Sequence, residues 1–186
     1  ESIARLMRMS GADATVISYP SDVSLGIGKA VWAFMEQGTD TLQQYNDLQD
    51  QLHFLGQCYV DGTKAFDDDP AIQPRVREIT KKIFDKEPSP EYDAYVLGKE
   101  INLGYFKQIT ERLGSSFDDF IYESEAGQVG QQIVHDHVPD IFTESEGAII
   151  YTGEQDGLHT RVFINTEGYP TYEAKDVALL SLKFDR

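Results

Sequence analysis

Residues 41 to 114 constrain the fold most, because three segments of helical period follow one another there without a strand-like run between them. They span about Thr41 to Asp67, Ile72 to Asp85 and Glu91 to Leu113. Leu48, Leu52, Leu55 and Tyr59 mark an apolar stripe on the first, and Val76, Ile79, Ile83 and Phe84 mark one on the second. On the third, Tyr95, Ile101, Leu103, Tyr105, Phe106 and Ile109 supply the apolar surface without defining one face. The breaks are Asp67-Asp68-Asp69-Pro70 and Lys86-Glu87-Pro88-Ser89-Pro90, where each proline disfavours helix in the residue before it. The aspartates lack the spacing of a calcium loop and read as a solvated linker. The block is therefore all-helical.

Strand signals flank the block on both sides. Ile3, Leu6 and Met7 recur at helical spacing up to Gly11, and this helix is already under way at Glu1. Ala14 to Tyr19 then reads as a short strand, and a helix follows from about Asp22, a plausible N-cap, to Glu36. Beyond Gly114, Phe117 to Tyr122 reads as a strand, with Glu123-Ser124-Glu125 after it and a helix over about Gly127 to His135. Ile141-Phe142, Ala148 to Tyr151 and Arg161 to Asn165 have strand character, and glycines at 147, 153 and 157 suggest an antiparallel hairpin. A last helix opens after Pro170. Strand–helix units on either side of a helical block define a split α/β domain.

The 186 residues suffice for one sizeable core, and 32 acidic residues against 16 basic ones give a formal charge of −16. Such a field repels phosphate backbones and argues against this chain gripping a nucleic acid by itself. No apolar run approaches the roughly 20 residues of a membrane span. ESIARLMRMS is a helical pattern rather than a secretory signal, and a single cysteine, Cys58, fits a reducing cytosol.

Several motifs fail on inspection. Gly26-Ile27-Gly28-Lys29 has Val23 and Ala30 where a phosphate loop needs glycine and serine or threonine, so these glycines read as helix-packing positions. His135-Asp136-His137 lacks a third metal ligand at recognised spacing and reads as two polar histidines near a helix end, so no metal site is assigned. Cys58 lies in an apolar stripe as a core or half-buried thiol. G-x-S-x-G and G-x-G-x-x-G are both absent.

Tyr172 and Asp176 remain, four residues apart on one face at the start of the last helix. Tyr19 and Asp22 stand at the end of the first strand. If the first and last strands are neighbours, all four face one cleft. Phenols and carboxylates without basic residues suit a cation, above all a guanidinium, whose planar fork a carboxylate takes bidentately. The alternative is that Tyr172 packs and Asp176 only decorates its helix.

The terminal run FINTEGYPTYEAKDVALLSLKF resembles the arginyl-tRNA synthetase family, in which a strand and an S/T-x-G-x-x-T-Y turn precede a helix carrying an acidic residue. YPSD with GKAVW, CYVDGTKAFDDDP, REITKKIF, YESEAGQVGQQIV and ESEGAIIYTGE followed by GLHTRVFIN extend the likeness over nearly the whole chain. The resemblance implies a class I catalytic core, a Rossmann-like parallel sheet split by an all-helical insertion. Its parts are 1–38 and 115–186 for the core, the latter with the hairpin, and 39–114 for the connective insertion. It also implies arginine, ATP with magnesium, and tRNA(Arg) as the complete enzyme's substrates, in the cytoplasm and with no membrane role. By position, Tyr172 and Asp176 match the arginine-recognising tyrosine and aspartate, while Tyr19 and Asp22 match more loosely as cleft lining. The family's His-Ile-Gly-His-type and Lys-Met-Ser-Lys-Ser-type motifs are expected before Glu1 and after Arg186. So the chain reads as a catalytic-domain fragment with no catalytic residue or tightly bound cofactor, inactive alone. Two other readings stay open. One is a class I synthetase for another amino acid such as cysteine, which predicts zinc ligands, and the other is a non-catalytic acidic α/β protein-interaction module.

Overall fold

The computed structural model describes residues 1–184 and shows an α/β protein of seven α-helices, five short strands and two 3₁₀ turns among them. Asp185 and Arg186, the last residues of the terminal run, lie outside the described residues. The chain divides into two compact units, Glu1–Val16 with Asp22–Asp118, and Ile17–Ser21 with Asp119–Arg186.

The first unit is helical. Helix α1 (Ser2–Met9) forms as its spacing predicts and stops before Gly11, whose φ is 89°. Its apolar stripe is exposed, with Ile3 at 74% and Leu6 at 65%. Polar contacts fasten the helix instead. Arg8 donates to the Ala14 carbonyl and pairs with Asp118 at 2.7 Å, and Asp118 also accepts the Val16 amide. Helix α2 (Leu25–Gln37) starts later than Asp22: Ser24 is the cap, its hydroxyl accepting the Ile27 amide at 3.2 Å. Asp22 is buried and occupied elsewhere, as described below. Helix α3 (Leu48–Asp68) is capped by Asp47, α4 (Gln73–Asp85) ends on a left-handed Lys86, and α5 (Pro90–Arg112) combines a Ser89 cap with proline in its first turn. A 3₁₀ turn, Thr39–Gln44, occupies the start of the expected first long helix.

The α4 stripe is buried as expected, Val76, Ile79, Ile83 and Phe84 all lying inside. The α3 stripe is not. Tyr59 is 52% exposed, and the buried face is Phe54, Cys58, Gly62 and Phe66. Backbone proximity explains the difference. A Cβ on Gly62 would stand 2.1 Å from the Lys29 carbonyl oxygen, so α3 presents a glycine where α2 crosses it. Phe54 then meets Phe34 edge-to-face at 5.9 Å. Gly28 works likewise, its missing Cβ leaving room for the Thr80 hydroxyl of α4. This is a packing role and not phosphate binding. Cys58 is fully buried, and burial pushes its thiol up to about 11.

Glu91, in the first turn of α5, is 5% exposed and joins α5 to α4 through Arg75 and through Lys82 at 3.3 Å. Burial alone would raise its pKa. Hydrogen bonds from its own backbone N–H, Arg75 and Lys82 outweigh that and hold it down at about 2. The stability it contributes is present above the ordinary carboxylate range and is lost as pH falls toward 2. Glu91→Gln is expected to cost about 1–3 kcal/mol at neutral pH. Denaturant titrations of both proteins check this: the gap should shrink as pH drops from about 4.5 to 2, and a pH-independent gap contradicts it.

The second unit carries both sheets. β1 (Ile17–Ser18) pairs in parallel with β2 (Asp119–Phe120), in register Ile17 to Asp119. Both are shorter than the strand-like runs that contain them. Helix α6 (Glu123–Asp136) begins four residues earlier than expected. β3 (Thr143–Ser145) and β4 (Ala148–Tyr151) form the antiparallel hairpin through Glu146 and Gly147, with φ of 50° and 80°. Two successive positive φ values match the twist of a tight hairpin, and glycine meets this at no steric cost. β5 (Arg161–Ile164) pairs antiparallel with β4 across an irregularity at Ile149–Ile150, and α7 (Tyr172–Phe184) ends the described chain. Val134, Phe142, Ile149, Ile164 and Ala174 form the core, with Phe163 against Phe142 at 4.7 Å.

The first and last strands are therefore not sheet neighbours: β1 pairs with β2, and β5 with β4. The condition set for one four-residue cleft is not met by strand pairing. Among the described residues, no helix is long and apolar enough to cross a membrane.

Candidate functional site

The turn from β5 into α7 is held by its own side chains. Asn165 accepts the Glu167 and Tyr169 amides on one carbonyl oxygen at 3.0 and 2.9 Å, and Gly168 supplies φ of 84°. The Thr171 hydroxyl donates back to the Val162 carbonyl at 2.7 Å, and its amide donates to Phe163. Gln131 of α6 closes the loop by donating to the Gly168 carbonyl at 3.0 Å. The first turn of α7 is thus fixed to both strand and helix.

Helix α7 lies very close to α6. Ala174 and Ala178 are fully buried, and a Cβ on Gly130 would stand 2.2 Å from the Ala174 carbonyl oxygen. With small residues on that face, Tyr172 and Asp176 fall on another. The structure places these two one turn apart on the same helix, near enough for the Asp176 carboxylate to act on the Tyr172 phenol. Hydrogen bonding to the neighbouring Asp176 carboxylate and its charge hold the phenol above its ordinary pKa, with smaller contributions from Glu123 and Glu173. Tyr172 is 67% exposed and Asp176 half-buried. Among the described residues, no basic side chain forms an ion pair with Asp176. A tyrosine-supported carboxylate open on one side can accept a planar cationic donor.

Beside the pair lies a cluster that sequence reasoning missed. Glu123, in the first turn of α6, accepts on one oxygen both the Ser21 hydroxyl at 2.9 Å and the Lys175 ammonium at 3.1 Å. The Glu123 amide donates to the Pro20 carbonyl. Lys175 and Glu123 are 15% and 17% exposed. Ser21 and Glu123 are separated by 102 residues and Lys175 follows 52 later, so no local spacing announces them.

The looser candidates separate. Tyr19 is half-buried in the same unit as Tyr172 and Asp176. Asp22 belongs to the helical unit, where Lys99 pairs with it at 2.6 Å and the Tyr95 hydroxyl donates to it at 3.2 Å. Asp22 thus already carries a cation from its own unit. His135 and His137 are exposed at the end of α6, with His137 Nδ1 2.8 Å from the Ile133 carbonyl. No group of three or more His, Cys, Asp or Glu able to hold a metal occurs among the described residues.

This α/β architecture is that of one segment of arginyl-tRNA synthetases. The crystal structure of arginyl-tRNA synthetase from Plasmodium falciparum matches 96% of this chain with 29% of its own, at a TM-score of 0.72 and 16% identity. A putative arginyl-tRNA synthetase from Campylobacter jejuni matches the whole chain at 0.58 and 19% identity. The relationship extends to sequence. The chain is 26% identical to the arginine–tRNA ligase of Methanothermobacter thermautotrophicus over 188 residues, 96% of this chain and 31% of that protein. The Lactobacillus acidophilus enzyme of that name is 26% identical over 95% of this chain and 31% of its own length. No family model matches. The chain is thus similar in sequence to arginine–tRNA ligases and spans about a third of the length of those it matches.

Proposed function

We propose that this chain is the part of an arginine–tRNA ligase that recognises the arginine side chain, within a Rossmann-like catalytic core split by the helical insertion of residues 39–114. The observation that carries the reading is the placing of Tyr172 and Asp176 one helical turn apart at the fixed start of α7, where the Asp176 charge raises the Tyr172 pKa. Asp176 offers its carboxylate to the guanidinium fork, and the Tyr172 oxygen orients that carboxylate and flanks the planar cation. The complete enzyme's other substrates are ATP with magnesium and tRNA(Arg), and its place is the cytoplasm. No step of adenylate formation is assigned to residues of this chain. Tyr19 enters the proposal only as lining of the cleft, and Asp22, ion-paired within the helical unit, is given no part in it.

Calorimetry tests the reading. The 186-residue chain is expected to bind arginine weakly and to lose this binding on Asp176→Ala, while showing no arginine-dependent ATP–pyrophosphate exchange. An absence of binding at any arginine concentration favours the interaction module, and measurable exchange overturns the inactivity.

A further inference from the structure

We propose that Glu123 is a positioning residue for arginine recognition: by holding the Lys175 ammonium, it keeps a competing cation out of the guanidinium site. The inference rests on the assignment of Asp176 above. Lys175 lies three residues after Tyr172, a spacing that places neighbours on one helix face, and it directly precedes Asp176. Its four-carbon stem pivots freely unless anchored. The structure provides one anchor, the Glu123 oxygen that also accepts the Ser21 hydroxyl, and the group is largely buried. The charge of Glu123 also contributes to raising the Tyr172 pKa. The cluster therefore leaves Asp176 as the carboxylate without a resident cation among the described residues. Released, the ammonium would repel an incoming guanidinium and offer Asp176 a resident partner, an effect that grows as the local dielectric falls.

The test is steady-state kinetics on the complete ligase carrying this segment. Glu123→Gln is expected to raise the arginine KM about five- to twentyfold with the ATP KM little changed, and the rise should shrink in high salt. Glu123→Gln with Lys175→Met should return the arginine KM to within about twofold of wild type, because the freed cation is gone. A purely structural role for Glu123 would leave the double variant as impaired as the single one or worse, and that result overturns the proposal. So does an unchanged arginine KM in Glu123→Gln while Asp176→Asn raises it. If Asp176→Asn also leaves the arginine KM unchanged, the arginine assignment itself falls.

Discussion

Gly130→Ala should separate α6 from α7 and lower stability by about 1–3 kcal/mol, the range for inserting a methyl into a closed contact. The added Cβ would meet the Ala174 carbonyl at 2.2 Å, and because this is backbone no rotamer change relieves it. Helix α7 must then move as a body. Ala174 lies between Tyr172 and Asp176 in sequence, and the same turn is tied to α6 by Gln131. The variant should therefore raise the arginine KM of the complete ligase as well as lower its Tm. A thermal melt with unchanged Tm and an unchanged KM would mean that the two helices have slack that the structure does not show.

The second large effect is expected at Asp176. Replacing it by asparagine keeps the shape and an acceptor oxygen beside Tyr172, but removes the charge that the guanidinium requires. The arginine KM should rise by the equivalent of about 2–4 kcal/mol, because one partner of a charged, hydrogen-bonded pair is lost while the other must still be desolvated. The ATP KM should move little. The neighbouring ion pair of Lys175 and Glu123 remains intact in this variant, so the change reads the carboxylate alone.

Much of this was legible in the sequence, and the failures have physical causes. The stripe Val76, Ile79, Ile83 and Phe84 was readable because large apolar residues carry the α4 contact. Helix α3 was misread because its tightest contact is made by Gly62, which offers backbone and no hydrophobic signal. Asp22 looked like a cap because aspartate often is one. Ser24 caps α2, and Asp22 meets Lys99, 77 residues away. The strand-like runs around β1 and β2 form ladders of only two residues each, since β propensity predicts a chain able to extend and not the partner that it finds. The placing of Tyr172 and Asp176 one turn apart on the last helix was readable because helical spacing of four fixes it locally. The Ser21–Glu123–Lys175 cluster was not, because tertiary structure alone assembles it.

The central claim is that a carboxylate on α7 reads the charge of an arginine side chain, and citrulline, in which a neutral urea replaces the guanidinium, tests it most directly. The measurement is the ratio between the arginine KM and the citrulline inhibition constant, in the complete ligase and in its Asp176→Asn variant. The account predicts strong preference for arginine in the wild type and a collapse of that preference in the variant, by weaker arginine binding with citrulline held as well as before. Equal weakening of both ligands, or an unaltered ratio, would contradict it.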